Sequence, residues 1–119
     1  MTGVQTCALP ISKVLNTIKL IDATLKVETP NGSCWHRYTK DGYGEDENGN
    51  PYDKKGIGRA WPLLTGERAH YEIAAGNIEE AKRLMKAMEA FSRNGLLPEQ
   101  IWDTANIPTK ELYFGEACL

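Results

Sequence analysis

The punctuation between Trp61 and Gly95 constrains this chain more than any other feature. Pro62 suits the first turn of a helix, where a missing N–H costs nothing, and the sequence predicts a helix from there to about Ala75. Gly76 fits the position just past a helix end, which favours a left-handed backbone. Asn77, with Glu80 three residues on, reads as an N-cap pair opening a further helix. Ile78, Ala81, Met85 and Met88 mark one face of that helix, with Leu84 and Phe91 alongside, and Asn94-Gly95 closes it. A stop and a start this close together make a paired-helix unit. Met85 and Met88 are read as core fillers rather than ligands. No solenoid repeat is visible.

Upstream, Val14, Ile18, Ile21 and Leu25 are spaced by four, three and four residues, which predicts a helix over Lys13 to Glu28 with one apolar face. Thr29-Pro30-Asn31-Gly32 ends it with turn-forming residues. Ser33 to Gly58 is rich in glycine and polar residues without a sustained period, so it is expected to be a long loop. Loops of that length in compact domains are functional or disordered. The aromatics Trp35, Tyr38, Tyr43 and Tyr52 argue for an ordered, functional one. The expected fold class is therefore all-α, helix pairs joined by long loops.

A chain of 119 residues permits one small domain. The net charge of −2 gives no electrostatic case for nucleic acid or an anionic membrane, and no apolar run approaches a membrane-spanning length. Of three cysteines, Cys34 and Cys118 lie outside the leader. They do not make a disulfide framework, and His36 alone beside Cys34 does not make a zinc site. No metal or cofactor is expected. The first eleven residues, MTGVQTCALPI, back-translate in one unbroken frame to the end of a common short-read sequencing adapter. Residues 1–11 are therefore expected to lie outside the fold, which is assigned to residues 12–119, and the natural chain is expected to extend upstream of Lys13. A signal peptide is disfavoured: there is no basic n-region, and Thr6, Cys7 and Pro10 interrupt any apolar core.

Two blocks carry the chemistry. Gly58 to Glu67 reads GRAWPLLTGE and Gly95 to Asp103 reads GLLPEQIWD, each joining a turn glycine, a Trp and a carboxylate. Pro98 fixes its own φ and biases Leu97 toward extended geometry, which helps to aim Glu99. Such placement suits a general base holding a water. It equally suits a first-turn helix residue favoured by the helix dipole. In the long loop, Arg37 offers a fixed fork of donors, Asp41 an acceptor, and Trp35, Tyr43 and Trp61 platforms on which a sugar ring can stack. Asp46-Glu47-Asn48-Gly49-Asn50 suggests an EF-hand, but Pro51 and Ile57 stand where glycine and glutamate are needed, so that site is rejected. Together the blocks point to part of a sugar-cleaving site built on loops between helices.

Taken in order, WHRYTKDGYGE, GIGRAWPLLTGERAHYEIAAG, AMEAF and GLLPEQIWD resemble the C-terminal half of the catalytic domain of bacterial glucoamylases, in glycoside hydrolase family 15. That family also holds glucodextranases and some trehalases. The resemblance covers nearly all of Lys13 to Gly115 and implies a fragment of an (α/α)6 barrel with its pocket in the loops at one end. It implies inverting, exo-acting hydrolysis of α-glucosidic bonds, with glucose released from non-reducing ends of α-glucans. It places Glu99 on the general base, Arg37 and Asp41 on groups gripping glucosyl hydroxyls, and Trp61 on a pocket wall. Tyr38 and Tyr43 fall on supporting aromatics. The general acid is expected in an upstream part of the same polypeptide, so Glu45, Glu67 and Glu72 are not promoted to that role, and the isolated chain is expected to be inactive. An extracellular or periplasmic setting follows from the resemblance alone. The rival from another class is a non-catalytic helical interaction module.

Overall fold

The computed structural model describes residues 12–105 and the backbone of residues 116–117; the expected adapter-derived leader and Cys118 lie outside the described residues. Three helices and a hairpin make up about half of it: α1 (Ser12–Thr24), β1 (Lys26–Thr29), β2 (Gly32–Trp35), α2 (Pro62–Ala74) and α3 (Ile78–Ala90). Two short strands, β3 (Gln100–Ile101) and β4 (Glu116–Ala117), pair in parallel.

The hairpin corrects two expectations. The first helix stops at Thr24 rather than Glu28, and Lys26–Thr29 pairs antiparallel with Gly32–Trp35. The all-α expectation is corrected with it, to a helical fragment with a small hairpin. Helical period and strand alternation overlap in so short a segment as Leu25 to Glu28, and the two-residue turn at Pro30-Asn31 decides for the strand. Thr29 donates its hydroxyl to the Gly32 carbonyl (2.8 Å) and accepts from the Asn31 N–H (3.2 Å). Gly32 takes φ +131°, and a Cβ there would lie 2.4 Å from that of Ala87. The turn can rest on α3 only because that side chain is missing.

The helix pair forms where expected. Pro62 opens α2, and Gly76, at φ +83°, follows the Ala75 cap. Asn77 does cap α3, but its side chain makes no capping bond; instead its Nδ2 donates to Glu72 Oε2 (2.8 Å), tying the two helices at their turn. The buried face of α3 is Ala81, Leu84 and Ala87, continued by Phe91. Ile78 and Met85 are exposed, so the apolar face is rotated from the one drawn through them. Small alanines let α2 and the hairpin approach closely, and the larger side chains fall at the rim. Asn94 and Gly95 both have positive φ (50° and 78°), and Arg93 and Leu96 exchange backbone hydrogen bonds across them. That is the Asn-Gly two-residue turn that left-handed residues permit.

Two apolar clusters sit on either side of the hairpin. Cys34, Ala60, Ala87, Phe91 and Ile101 form one, with Val27 against it. Trp35, Ala69 and Leu84 form the other, joined by Ile21, Leu25 and Leu64. Burial pushes the Cys34 thiol up to about 11, so it stays protonated and unreactive in the core. The helix α1 buries no residue fully. It is held by Asp22, whose carboxylate accepts from Arg68 on α2 (2.8 Å) and from the Trp35 indole (3.0 Å).

Candidate active site

Between Trp35 and Ala60 the chain forms neither helix nor strand, yet much of it is fixed. Arg37 and Asp41 form a two-pronged ion pair, Nε to Oδ2 at 2.6 Å and Nη2 to Oδ1 at 2.8 Å. The Tyr43 N–H adds a bond to Asp41 Oδ1 (3.1 Å). Lys40 adopts a left-handed backbone, φ 60°, which turns the chain back so that Asp41 can reach Arg37. The Arg37 bond, opposed by burial and helped by Tyr43, holds the Asp41 carboxyl below the usual carboxylate range. Asp41 is thus a fixed anion, and Arg37 keeps donors to spare.

The guanidinium of Arg37 is stacked as well as paired. Its carbon lies 4.3 Å from the Trp61 ring centre, 5.2 Å from Tyr43 and 5.3 Å from Tyr38. Tyr43 and Trp61 are 6.0 Å apart and tilted by 32°, and Tyr52 joins Tyr43 at 5.2 Å. A charged fork set among exposed aromatic faces can offer hydrogen bonds to hydroxyls and a flat apolar surface to a sugar ring. The structure therefore brings Arg37, Asp41, Trp61, Tyr38 and Tyr43 together.

Glu99 reaches the same neighbourhood by a different route. It is exposed and lies in no helix, which removes the first-turn reading; it precedes β3 directly. Gln100, Ile101 and Trp102 behind it are all buried. An exposed carboxylate on a buried root is well placed to hold its position. Arg37 is raised above its usual pKa first by the Asp41 hydrogen bond, against burial, and the Glu99 charge adds to that. Trp35 departs from expectation. It is 3% exposed, its N–H is taken by Asp22, and Arg68 covers its ring at 5.0 Å, so it is a core residue and not a sugar platform.

Four residues with no role assigned from sequence join these segments. Gln100 accepts the Arg59 N–H on Oε1 (3.0 Å) and packs on Gly44. Asp103 Oδ2 accepts the Ala60 N–H (2.9 Å) and faces His36 Nε2 at 3.1 Å, and its Oδ1 faces Arg59 Nη1 at 3.3 Å. Arg59 is 2% exposed and stacks 3.9 Å above Trp102. Asp103 raises the pKa of His36 through that contact, against burial. Burial pushes Asp103 up, but His36 and then Arg59 outweigh it and leave its carboxyl low. Arg59, Gln100 and Asp103 lie in the same two blocks, which pair a charged side chain with each Trp, and His36 lies beside Arg37 in the loop. Cavities of about 260 and 320 Å³ flank the cluster, the first bounded by α1, α2 and Arg37, the second by His36, Arg59 and Asp103.

Glu72, on the inner face of α2, is engaged by Arg68 (3.1 Å) and Asn77. Its carboxylate is committed to holding the helices.

The profile of glycosyl hydrolases family 15 matches residues 2–117, and the chain belongs to that family. A glucoamylase from Clostridium sp. (strain G0005) is 50% identical over 98 residues, 82% of this chain and 14% of the relative. A bacterial glucoamylase solved in complex with acarbose is similar over 82% of this chain, at 50% identity and a TM-score of 0.74. The chain spans 14% of the length of each of these relatives.

Proposed function

We propose that residues 12–119 are the base-bearing part of a glucoamylase-like catalytic domain, one segment of an (α/α)6 barrel. The whole polypeptide is an inverting, exo-acting α-glucosidase that releases glucose from the non-reducing ends of α-glucans. The observation that carries this reading is the Arg37–Asp41 pair set against Trp61 and Tyr43 with Glu99 beside it. The similarity to a glucoamylase crystallised with acarbose supports an α-glucoside as the occupant.

In this reading Trp61 and Tyr43 bear on the face of the terminal glucosyl ring, and Arg37 and Asp41 hold its hydroxyls. Glu99 accepts a proton from the water that attacks the anomeric carbon. A carboxylic acid from another part of the polypeptide protonates the departing oxygen on the opposite face. A base without that acid cannot complete the reaction, so the isolated chain does not hydrolyse maltose or longer α-glucans.

The test uses the polypeptide extended to the length of its relatives. Glu99→Gln keeps the shape of the base but cannot accept a proton, so acarbose binding persists while turnover falls by about 10²–10⁴-fold. Near-normal turnover of that variant, or strong glucose release by the isolated chain, removes Glu99 from the role of base. Assays on maltose, dextran and trehalose assign the linkage. An extended protein that cleaves none of them supports the non-catalytic helical module.

A further inference from the structure

The two halves of the proposed site are held by different means. Arg37, Asp41, Tyr43 and Trp61 contact one another directly. Glu99 joins them through residues 100–103. The backbone makes part of this connection: the Trp61 N–H bonds to the Trp35 carbonyl (2.9 Å) and the Ile101 N–H to the Ala60 carbonyl (3.0 Å). Gln100, which accepts the Arg59 N–H (3.0 Å), adds one side-chain link, and Asp103 gathers several at once. Its carboxylate is 4% exposed and receives the Ala60 N–H, His36 and Arg59 at once. His36 immediately precedes Arg37, Ala60 immediately precedes Trp61, and Asp103 lies four residues beyond Glu99. The three arms of the carboxylate therefore end on two segments, at His36 and at Arg59-Ala60, each close to a residue of the site, and Asp103 itself lies on a third segment far away in sequence.

From this arrangement we propose that Asp103 is a positioning residue, fixing the segment that carries Glu99 in register with the segments that carry Arg37 and Trp61. The proposal rests on the glycosidase reading given above. Taking a carboxylate out of water is costly, and charge-assisted bonds to both its oxygens offset that cost. An apolar side chain would avoid that cost, but it could not read the positions of a backbone amide, an imidazole and a guanidinium together. A buried carboxylate does so with one rigid group. With its carboxylate only 4% exposed, Asp103 acts through the three segments it joins.

Because the binding half holds itself together, loss of the clasp separates turnover from binding. Asp103→Asn keeps the volume but turns an N–H₂ toward donors. In the extended polypeptide the folded variant is expected to lose about 10–100-fold in kcat on maltose, as a misplacement of about 1 Å costs roughly 10²-fold, while KM moves by no more than about threefold. Circular dichroism and the thermal midpoint establish that the protein assayed is folded. A folded Asp103→Asn protein with kcat within twofold of the wild type overturns the proposal, because a residue serving stability alone leaves the turnover of folded molecules unchanged. A rise in KM as large as the fall in kcat, with acarbose binding weakened to match, also overturns it. If Asp103→Asn does not fold, His36→Phe removes one arm and keeps the ring; a kcat loss of about three- to tenfold at constant KM is expected, and an unchanged kcat counts against the clasp. Glu99→Gln run alongside separates the two ideas. If that variant turns over normally, Glu99 is not the base and the clasp fails with that assignment; if it is dead while Asp103→Asn is unimpaired, only the clasp fails.

Discussion

The helix pair and the loops at its end are stabilised by opposite chemistry. Between α2 and α3 the buried side chains are Ala69, Ala81, Leu84 and Ala87, with Thr65 and Glu72. Between the loops they are Asp41, Glu45, Arg59, Gln100 and Asp103, with Trp102 beneath Arg59. Apolar packing is graded: deleting a few carbons removes contacts in proportion and the rest repacks. A buried polar junction is not graded, because a lost partner leaves an atom desolvated with no bond. The pair should thus govern how stable the chain is, and the loops how accurately the site is built.

Leu84→Ala tests the first half of that contrast and carries the largest expected effect. Leu84 is fully buried beside Trp35 and Ala69, and truncating such a leucine costs about 2–5 kcal/mol. Urea denaturation of the chain should show that loss. In the extended polypeptide, assayed well below its midpoint, kcat should stay within about twofold. A large fall in kcat for the folded Leu84→Ala protein would break the comparison, since the core would then be setting the site.

Gly58→Ala reverses the pattern. A Cβ at Gly58 would lie 2.2 Å from the Asp41 carbonyl oxygen and 2.7 Å from the Asp41 Cβ, where the Gly58 N–H now bonds that carbonyl at 2.6 Å. Backbone must move, which costs about 1–3 kcal/mol of overpacking, and Asp41 moves with it. Affinity for acarbose is expected to fall by about tenfold or more, although the variant is no less stable than Leu84→Ala. Unchanged affinity would show that the Arg37–Asp41 pair does not hold the ligand.

How legible each region was in the sequence follows the same division. Pro62, Gly76, Asn77 and Asn94-Gly95 announce the helix pair because caps and turns are local. Even there the face was drawn through Ile78 and Met85, since periodicity gives spacing and only packing gives phase. The hairpin was missed because Lys26 to Thr29 is too short for its alternation to outvote the helical period before it. The chemistry of Arg37, Asp41, Trp61 and Glu99 is legible in their residue types and neighbours, and the resemblance assigns their roles, but their mutual geometry is not legible. Asp103, Arg59 and Gln100 carried no separate signal, since their bonds cross more than forty residues. Trp35 reads as a platform from sequence because an indole in a polar loop looks exposed; it lies on a strand, and its N–H finds Asp22 on α1.

The clasp predicts a pH window. Asp103 has a lowered pKa in the folded chain, so its contribution is present above the ordinary carboxylate value, about 3.9, and is lost as pH falls through the folded value. His36 has a raised pKa, so its contribution is complete below about 6.5 and is lost as pH rises through the folded value. Asp103 and, more weakly, Asp41 are the anions that act on His36, with the Gly58 backbone. The stability difference between wild type and His36→Phe should therefore peak near pH 5 and shrink by about pH 8. Urea midpoints measured from about pH 4 to 8 decide this, and a difference that does not vary with pH would mean that His36 contributes packing alone.

Lys40→Gly should have the smallest effect and sharpens the contrast at its edge. Lys40 holds φ 60° so that the chain turns between Arg37 and Asp41. A left-handed conformation costs a non-glycine residue about 1–2 kcal/mol, and glycine removes that cost. Glycine also gains freedom in the unfolded chain, worth roughly 0.5–1 kcal/mol against the variant. The two nearly cancel, so the urea midpoint should rise slightly or not at all. The Arg37–Asp41 pair is made by side chains that the change does not touch, and acarbose affinity in the extended polypeptide should stay within about twofold. A drop in affinity with an unchanged midpoint would show that the stiffness of this turn, and not only the ion pair it closes, orients Arg37 toward the ligand.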